Sequence, residues 1–397
     1  MSVSFRRRVL YLPGFDPIPP RRYRELYRRE GPEQARISGY RIGTGRSDDD
    51  SGRFGWSVEG QFGTDLTAAQ IEVLIWADLV QKSMKSGIAG TYLQLVRTAW
   101  TYFASGAIRR LMRLRLAPLL AAFYPVAVLL AQLLAACLLG AGIGWLVSIW
   151  LGWPVGLIAA LATVWGMLVW FKSLDHKLFA YYLMHDYAFT AQHGGAYPPE
   201  LEARLAQFTD RLAEVLNSDL DEVLVVGHSS GAYLGVSLLA DLIRSGRVPE
   251  NGPALALLTL GHVVPMASFL PRSQRLRADL ALVSESPDLF WLDVSAPGDA
   301  CCFGLCDPVA VTGVAGPDQR WPLVISAAFT RTLSPQRQKE LRNRWFRKHF
   351  QYLCAFDRPG DYDYFAITAG PLTLAERFAG RPPSPGRITT PAGKGLA

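Results

Sequence analysis

The sequence predicts an α/β fold with a mainly parallel sheet and flanking helices, interrupted by an inserted two-helix apolar hairpin. Three observations carry this expectation. Strand-like apolar runs alternate with helix-like segments, a pattern that indicates parallel strands covered on both faces. From Leu116 to Phe171, 56 residues pass without one Asp, Glu, Lys or Arg. The segment "GHSSG" (Gly227–Gly231) stands between a strand-like and a helix-like run.

Taken in order, "RRVLYLPG" (Arg7–Gly14) reads as a buried strand ending in a Pro-Gly turn. "PPRRYRELYRREG" reads as a helix opened by proline and closed by Gly31. Residues 36–64 read as loop-rich with extended stretches, and the acidic triplet Asp48–Asp50 as a solvated loop. Thr67–Met84 shows helical spacing through Ile71, Leu74, Ile75 and Leu79, with a threonine cap. Beyond the apolar stretch, Pro198–Ser218 is an amphipathic helix, Asp221–Gly227 a buried strand and Ala232–Gly246 a helix with a glycine stop. Pro253–Gly261, Asp288–Ser295 and Trp321–Phe329 complete the strands. The tail after Arg377 is rich in Pro and Gly and is expected to be disordered. The expected organisation is residues 1–110 and 176–377 as two parts of one domain, 111–175 as the hairpin and 378–397 as the tail.

A bilayer core about 30 Å thick needs roughly 20 apolar residues per crossing, so the uncharged run accommodates two crossings and a turn. They are expected near Ala117–Leu139 and Ile149–Phe171. Gly140, Gly142, Gly144, Gly152 and Pro154 mark the bend. Trp145, Trp150 and Trp153 suit a far membrane–water interface. Arg109, Arg110, Arg113 and Arg115 precede the run and Lys172 and Lys177 follow it. The positive-inside rule then puts the folded domain and both termini in the cytoplasm.

The net charge of +7 raises nucleic acid as a partner, but the cluster Arg109–Arg115 abuts the apolar run. Attraction to anionic membrane lipids explains it better than nucleic-acid binding. No signal peptide opens the chain. Five scattered cysteines read as reduced thiols. Cys301, Cys302 and Cys306 lack a second Cys/His pair at zinc-ligand spacing, and the "GTG" at Gly43–Gly45 lacks the rest of a dinucleotide fingerprint. Neither a metal nor a cofactor is expected.

"GHSSG" fits G-x-S-x-G, and its setting between Val223–Val226 and a helix starting near Ser230 gives the pattern a mechanism. A nucleophile lifted on a tight strand-to-helix turn takes strained backbone angles, and the flanking glycines remove side chains that would collide. The helix N-terminus adds free N–H groups beneath Ser229. In these residues the chain resembles the α/β-hydrolase superfamily, its serine esterase and lipase-like members most. The resemblance spans most of residues 5–370, apart from the hairpin.

That resemblance implies a triad in the order nucleophile, acid, histidine. Of six histidines, His176, His185 and His193 precede the nucleophile, His228 adjoins it as a packing or hydrogen-bonding neighbour, and His262 precedes every plausible acid. His349 remains as the base, in a stretch that can be helical where relatives use a loop. Asp299, four residues past a strand end, holds the best position for the acid; Asp307 is the alternative, and Asp293 lies within the strand. The resemblance also implies an oxyanion hole from the Ser230 and Phe15 N–H groups, with Gly14 allowing close approach and Pro13 replacing the usual histidine.

The implied function is hydrolysis of a carboxylic ester through an acyl-enzyme on Ser229, by a membrane-anchored serine hydrolase. Location at a bilayer suggests a lipid-derived substrate. A thioesterase or amidase would use the same residues, and a catalytically inactive membrane scaffold on the same fold is the alternative.

Overall fold

The computed structural model describes residues 3–47 and 52–393, so the triplet Asp48–Asp50 lies outside the described residues. Eight strands form one mixed sheet: β1 (Phe5–Leu12), β2 (Arg41–Arg46), β3 (Gly55–Phe62), β4 (Asp65–Val73), β5 (Glu222–His228), β6 (Ala254–Leu260), β7 (Phe290–Ser295) and β8 (Leu323–Ser326). Their spatial order is β2-β3-β4-β1-β5-β6-β7-β8. Pairing is parallel from β4 across to β8 and antiparallel at β2/β3 and β3/β4. The principal helices are α1 (Arg21–Ser38), α2 (Ile88–Ala104), α3 (Leu116–Leu151), α4 (Trp153–Ser173), α5 (Ala180–Ala191), α6 (Pro199–Leu216), α7 (Gly231–Arg244) and α8 (Gln274–Glu285).

The period-2 pleat sends alternate residues of the central strands into separate cores. Val9, Tyr11, Leu224, Val226, Leu258 and Leu292 face one side, where Tyr23 and Tyr27 of α1 and Phe365 cover them. Leu10, Leu12, Val223, Val225, Leu257 and Trp291 face the other, under α6, α7 and α8. Both faces of the central strands are therefore dry, which accounts for their near-continuous apolar runs.

Four expectations are corrected here. Thr67–Met84 is not one helix: its first half is β4, and only Ala77–Ser83 is helical. Thr67, Ala69, Ile71 and Val73 alternate inward, and parallel pairing with β1 outweighs the helical spacing. Residues 36–64 contain the end of α1 and the strands β2 and β3. The first helix runs past Gly31 and Pro32 to Ser38, ending on Gly39 in a left-handed conformation.

The tail is the third correction. Phe378 is buried in the sheet's core and the Ser384 N–H donates to the Val324 carbonyl at 2.9 Å. Ile388 bridges to Cys306, and the Ala392 N–H donates to Val311 at 2.9 Å. Proline-rich chain without helix or strand is held by a few spaced anchors instead of a ladder.

The fourth concerns the hairpin. Gly140, Gly142 and Gly144 do not bend the chain; α3 continues to Leu151, and the reversal falls at Gly152. Two of those glycines are contact points. A Cβ at Gly140 would meet Val164 Cγ2 at 2.7 Å, and one at Gly144 would meet Ala160 Cβ and the Gly156 carbonyl at 2.7 Å. Small residues four apart let two helices approach closely without a hydrophobic driving force. Both helices are long and apolar enough to cross a membrane, and their surface is largely uncovered by the rest of the chain. Trp150 is 84% exposed and Trp153 74%, unlike the tryptophans Trp56, Trp76 and Trp291 of the folded core.

Candidate active site

β5 ends at His228 and α7 begins at Gly231, so Ser229 and Ser230 make the whole turn. Ser229 has φ +58°, in the left-handed region that costs a non-glycine residue about 1–3 kcal/mol. The neighbours over-determine that conformation. A Cβ at Gly227 would sit 2.7 Å from Ala232 Cα, one at Gly14 would meet Ser229 Cβ at 2.9 Å, and one at Gly231 would collide with the Leu12 carbonyl. Three glycines thus let β1, β5 and α7 converge beneath one hydroxyl. The Ser229 N–H is held by the Leu260 carbonyl at 2.9 Å.

Residues far apart in the chain meet above this turn. His349 Nδ1 bonds Asp299 Oδ2 at 2.7 Å, and both side chains are buried. His349 is the last residue of a short helix, Trp345–His349, and is not on a free loop. Its Nε2 has no hydrogen-bond partner, and His349 lines the same cavity as Ser229; no hydrogen bond joins the two. Burial alone would raise the Asp299 carboxyl. The charge and hydrogen bond of His349, with the Cys301 N–H at 2.9 Å, more than offset that and hold it below its usual value.

Two neighbours fix this pair. The Tyr352 hydroxyl donates to Asp299 Oδ2 at 3.1 Å and accepts from the Ala296 N–H at 3.0 Å. His228 Nε2 donates to the His349 carbonyl at 3.0 Å. Burial pushes the His228 imidazole down to about 3, so it stays neutral and acts as a fixed donor. His228 therefore clamps the backbone of the second histidine. Replacing Tyr352 with phenylalanine should lower kcat roughly tenfold with little change in KM as Asp299 loosens, and should lower Tm because the buried Ala296 N–H loses its acceptor. Steady-state kinetics on a chromogenic ester checks this, and an unchanged kcat would remove Tyr352 from the site.

The other carboxylates have different duties. Asp307 Oδ1 accepts from the Val309 and Ala310 N–H groups at 3.0 Å, capping the helix Pro308–Thr312. Asp293 lies beside His262 and accepts from Thr259 Oγ1 at 2.7 Å, while His262 Nε2 bonds the Cys306 carbonyl at 2.9 Å. Ligand atoms of Asp299, Cys301 and His349 lie within 4.8 Å of one another. Two of these atoms, His349 Nδ1 and Asp299 Oδ2, already bond each other at 2.7 Å, so the set is drawn together by that hydrogen bond.

On the opposite wall, the Tyr182 hydroxyl donates to the Phe15 carbonyl and Trp76 Nε1 donates to that of Pro13 at 3.0 Å. The Phe15 ring is enclosed by Trp76, Tyr182 and Phe189. Among the described residues, neither the Phe15 nor the Ser230 N–H donates to a backbone carbonyl. Both loops border the cavity that holds Ser229, in which Gly14 and Phe15 are wall residues.

That cavity measures about 90 Å³. Pro118 and Ala121 from the base of α3 line it, so the apolar hairpin helps to build the site. Asp186 of α5, which sequence reasoning did not single out, lines it too. Burial raises its carboxyl to about 7, partly opposed by His349. Tyr352 and Asp186 carry no local motif, and only contacts across the fold reveal them. Comparison with family models, with curated proteins and with solved structures finds no match for this chain, so its site is read from its own geometry.

Proposed function

We propose that this chain is a membrane-anchored serine hydrolase of α/β-hydrolase type, cleaving a carboxylic ester through an acyl-enzyme on Ser229. The observation that carries the reading is the strained Ser229 in one cavity with His349, whose Nδ1 is bonded to the buried Asp299 and whose Nε2 has no hydrogen-bond partner.

Ser229 Oγ attacks the ester carbonyl carbon while its proton passes to His349 Nε2. Asp299 holds the ring with Nδ1 protonated and stabilises the imidazolium that forms. The carbonyl oxygen becomes an oxyanion bonded by the Ser230 and Phe15 N–H groups, aided by the N-terminus of α7. Collapse breaks the bond to the alcohol, which takes the proton from His349. A water then attacks the acyl-serine, giving its proton to the same nitrogen; the C–Oγ bond breaks, that proton returns to Ser229 Oγ, and the acid leaves.

The anchor is part of the same reading. From Leu130 to Leu151, α3 is about 33 Å long, and the 21 residues of α4 give about 32 Å. Either length suits a hydrocarbon core of about 30 Å. The first crossing thus begins further along than Ala117, since Leu119, Ala121 and Leu129 are buried against the folded domain. Arg109, Arg110, Arg113, Arg115, Lys172 and Lys177 flank both ends on one side, which the positive-inside rule assigns to the cytoplasm.

A fluorophosphonate probe tests the enzyme directly. Intact protein in detergent should form one phosphonyl adduct, mapped by mass spectrometry to Ser229. Folded protein that carries no adduct at this residue would instead be an inactive scaffold.

A further inference from the structure

We infer that the acyl chain of a membrane lipid reaches Ser229 sideways from the bilayer, through an apolar portal between α2 and the base of α3. This rests on the hydrolase reading and names its substrate class: a long-chain lipid ester.

A second cavity of about 60 Å³ lies beside the catalytic one. Its walls come from Thr98, Tyr102 and Phe103 of α2 and from Leu119, Phe123 and Val126 of α3. Tyr187 and Met266 form part of its wall and part of the catalytic cavity's wall as well. The two spaces are thus neighbours across a two-residue partition. The helix that supplies Leu119, Phe123 and Val126 to one presents Pro118 and Ala121 to the other.

The chemistry of the lining selects the occupant. No carboxylate, lysine or arginine borders the smaller cavity, and apart from the hydroxyls of Thr98, Tyr102 and Tyr187 its walls are apolar. The Tyr102 hydroxyl is already engaged, donating to the Met266 carbonyl at 2.9 Å and fixing one side of the partition. The cavity is small, about 60 Å³ against about 90 Å³ for its catalytic neighbour, and serves as a passage and not as a chamber for a whole chain. The remaining methylenes would lie outside, where α3 continues into its uncovered apolar length.

The outer surface matches this direction of approach. Leu93, Val96, Trp100 and Phe103 recur along one side of α2 and are 49–73% exposed. An exposed apolar stripe on a helix lying against a membrane-length span is suited to lipid. The other side of α2 packs on the hairpin at Ile88 and Tyr92, beside Ala136 and Leu168. At its other end Arg109, Arg110 and Arg113 follow at once. Phe103, on this stripe, is also a wall of the portal.

The test uses full-length protein in detergent–lipid micelles with p-nitrophenyl butyrate and p-nitrophenyl palmitate. Ala122→Trp and Val126→Trp place an indole in the passage, away from the triad. Each should lower kcat/KM for the palmitate ester at least tenfold and leave the butyrate ester within twofold. Equal loss on both esters in either variant that still binds fluorophosphonate at the wild-type rate, or no loss on either, overturns the portal. A photoreactive diazirine palmitate supplies a readout that does not need turnover. It should cross-link to peptides holding Phe103 or Phe123, and the tryptophan variants should abolish this; cross-links elsewhere only would overturn the proposal. If wild-type protein neither hydrolyses an ester nor accepts the fluorophosphonate, the hydrolase reading fails, and the cross-linking map still decides for or against a lipid passage.

Discussion

Asparagine in place of Asp299 should lower kcat about 10⁴-fold while the protein stays folded and still binds substrate. The expectation rests on tautomer control. Asp299 Oδ2 accepts from His349 Nδ1 at 2.7 Å, which leaves Nε2 unprotonated and able to take the serine proton. An asparagine there would turn its NH₂ toward the ring, so Nδ1 becomes the acceptor and Nε2 carries the hydrogen. The comparable substitution in a serine-protease triad costs about 10⁴ in kcat, or about 5.4 kcal/mol. Asp307→Asn is the control. Its carboxylate caps Pro308–Thr312 by accepting two N–H groups at 3.0 Å, so it should cost about 1 kcal/mol of stability and leave kcat within threefold. Kinetics on both variants with a soluble chromogenic ester separates the two acids. A reversed ranking would transfer the role to Asp307 and dismantle the triad drawn above.

The turn at Ser229 was legible because its physics is local: a strand, two glycines and a helix within a dozen residues specify it. His349 and Asp299 came from the expected order of a resembling family, and their meeting depends on contacts that no local pattern encodes. The central strands were readable for a related reason. Both faces of β1, β5, β6 and β7 are buried, so each is an apolar run bounded by turn residues. β4 was not, because Ile71, Leu74, Ile75 and Leu79 also satisfy a helical period, and only the partner strand β1 decides between them. Glycine misled twice in opposite ways. Gly31 lies inside a helix against Phe365, and Gly140 and Gly144 serve helix contact where a bend was expected. Glycine marks a missing side chain, and whether that serves a turn or a close approach depends on the neighbour. The tail shows the matching limit of composition, since a handful of buried anchors such as Phe378 and Ala392 order a stretch rich in Pro and Gly.

Asp186→Asn should stabilise the protein at pH 8 and lose that advantage near pH 4. The wild-type carboxyl lines a mostly apolar cavity, with His349 as its one opposing influence. Burial raises it to about 7 in the folded state, against about 3.9 unfolded. The folded protein therefore holds a proton that the unfolded chain has released between those values. The stabilisation is fully present below about pH 4 and is lost as pH rises toward 7. A shift of three units corresponds to about 4 kcal/mol, which water at the cavity mouth reduces to about 2. Asparagine does not titrate, so the gap between variant and wild type should open by several degrees of Tm from pH 4 to pH 8. Groups remote from Asp186 titrate alike in both proteins and cancel from the difference. Thermal unfolding in detergent at the two pH values measures it, and a gap that stays constant would mean the carboxyl is ionised throughout. A residue that destabilises the fold at working pH, beside the nucleophile and without a partner of its own, belongs to the chemistry of the cavity.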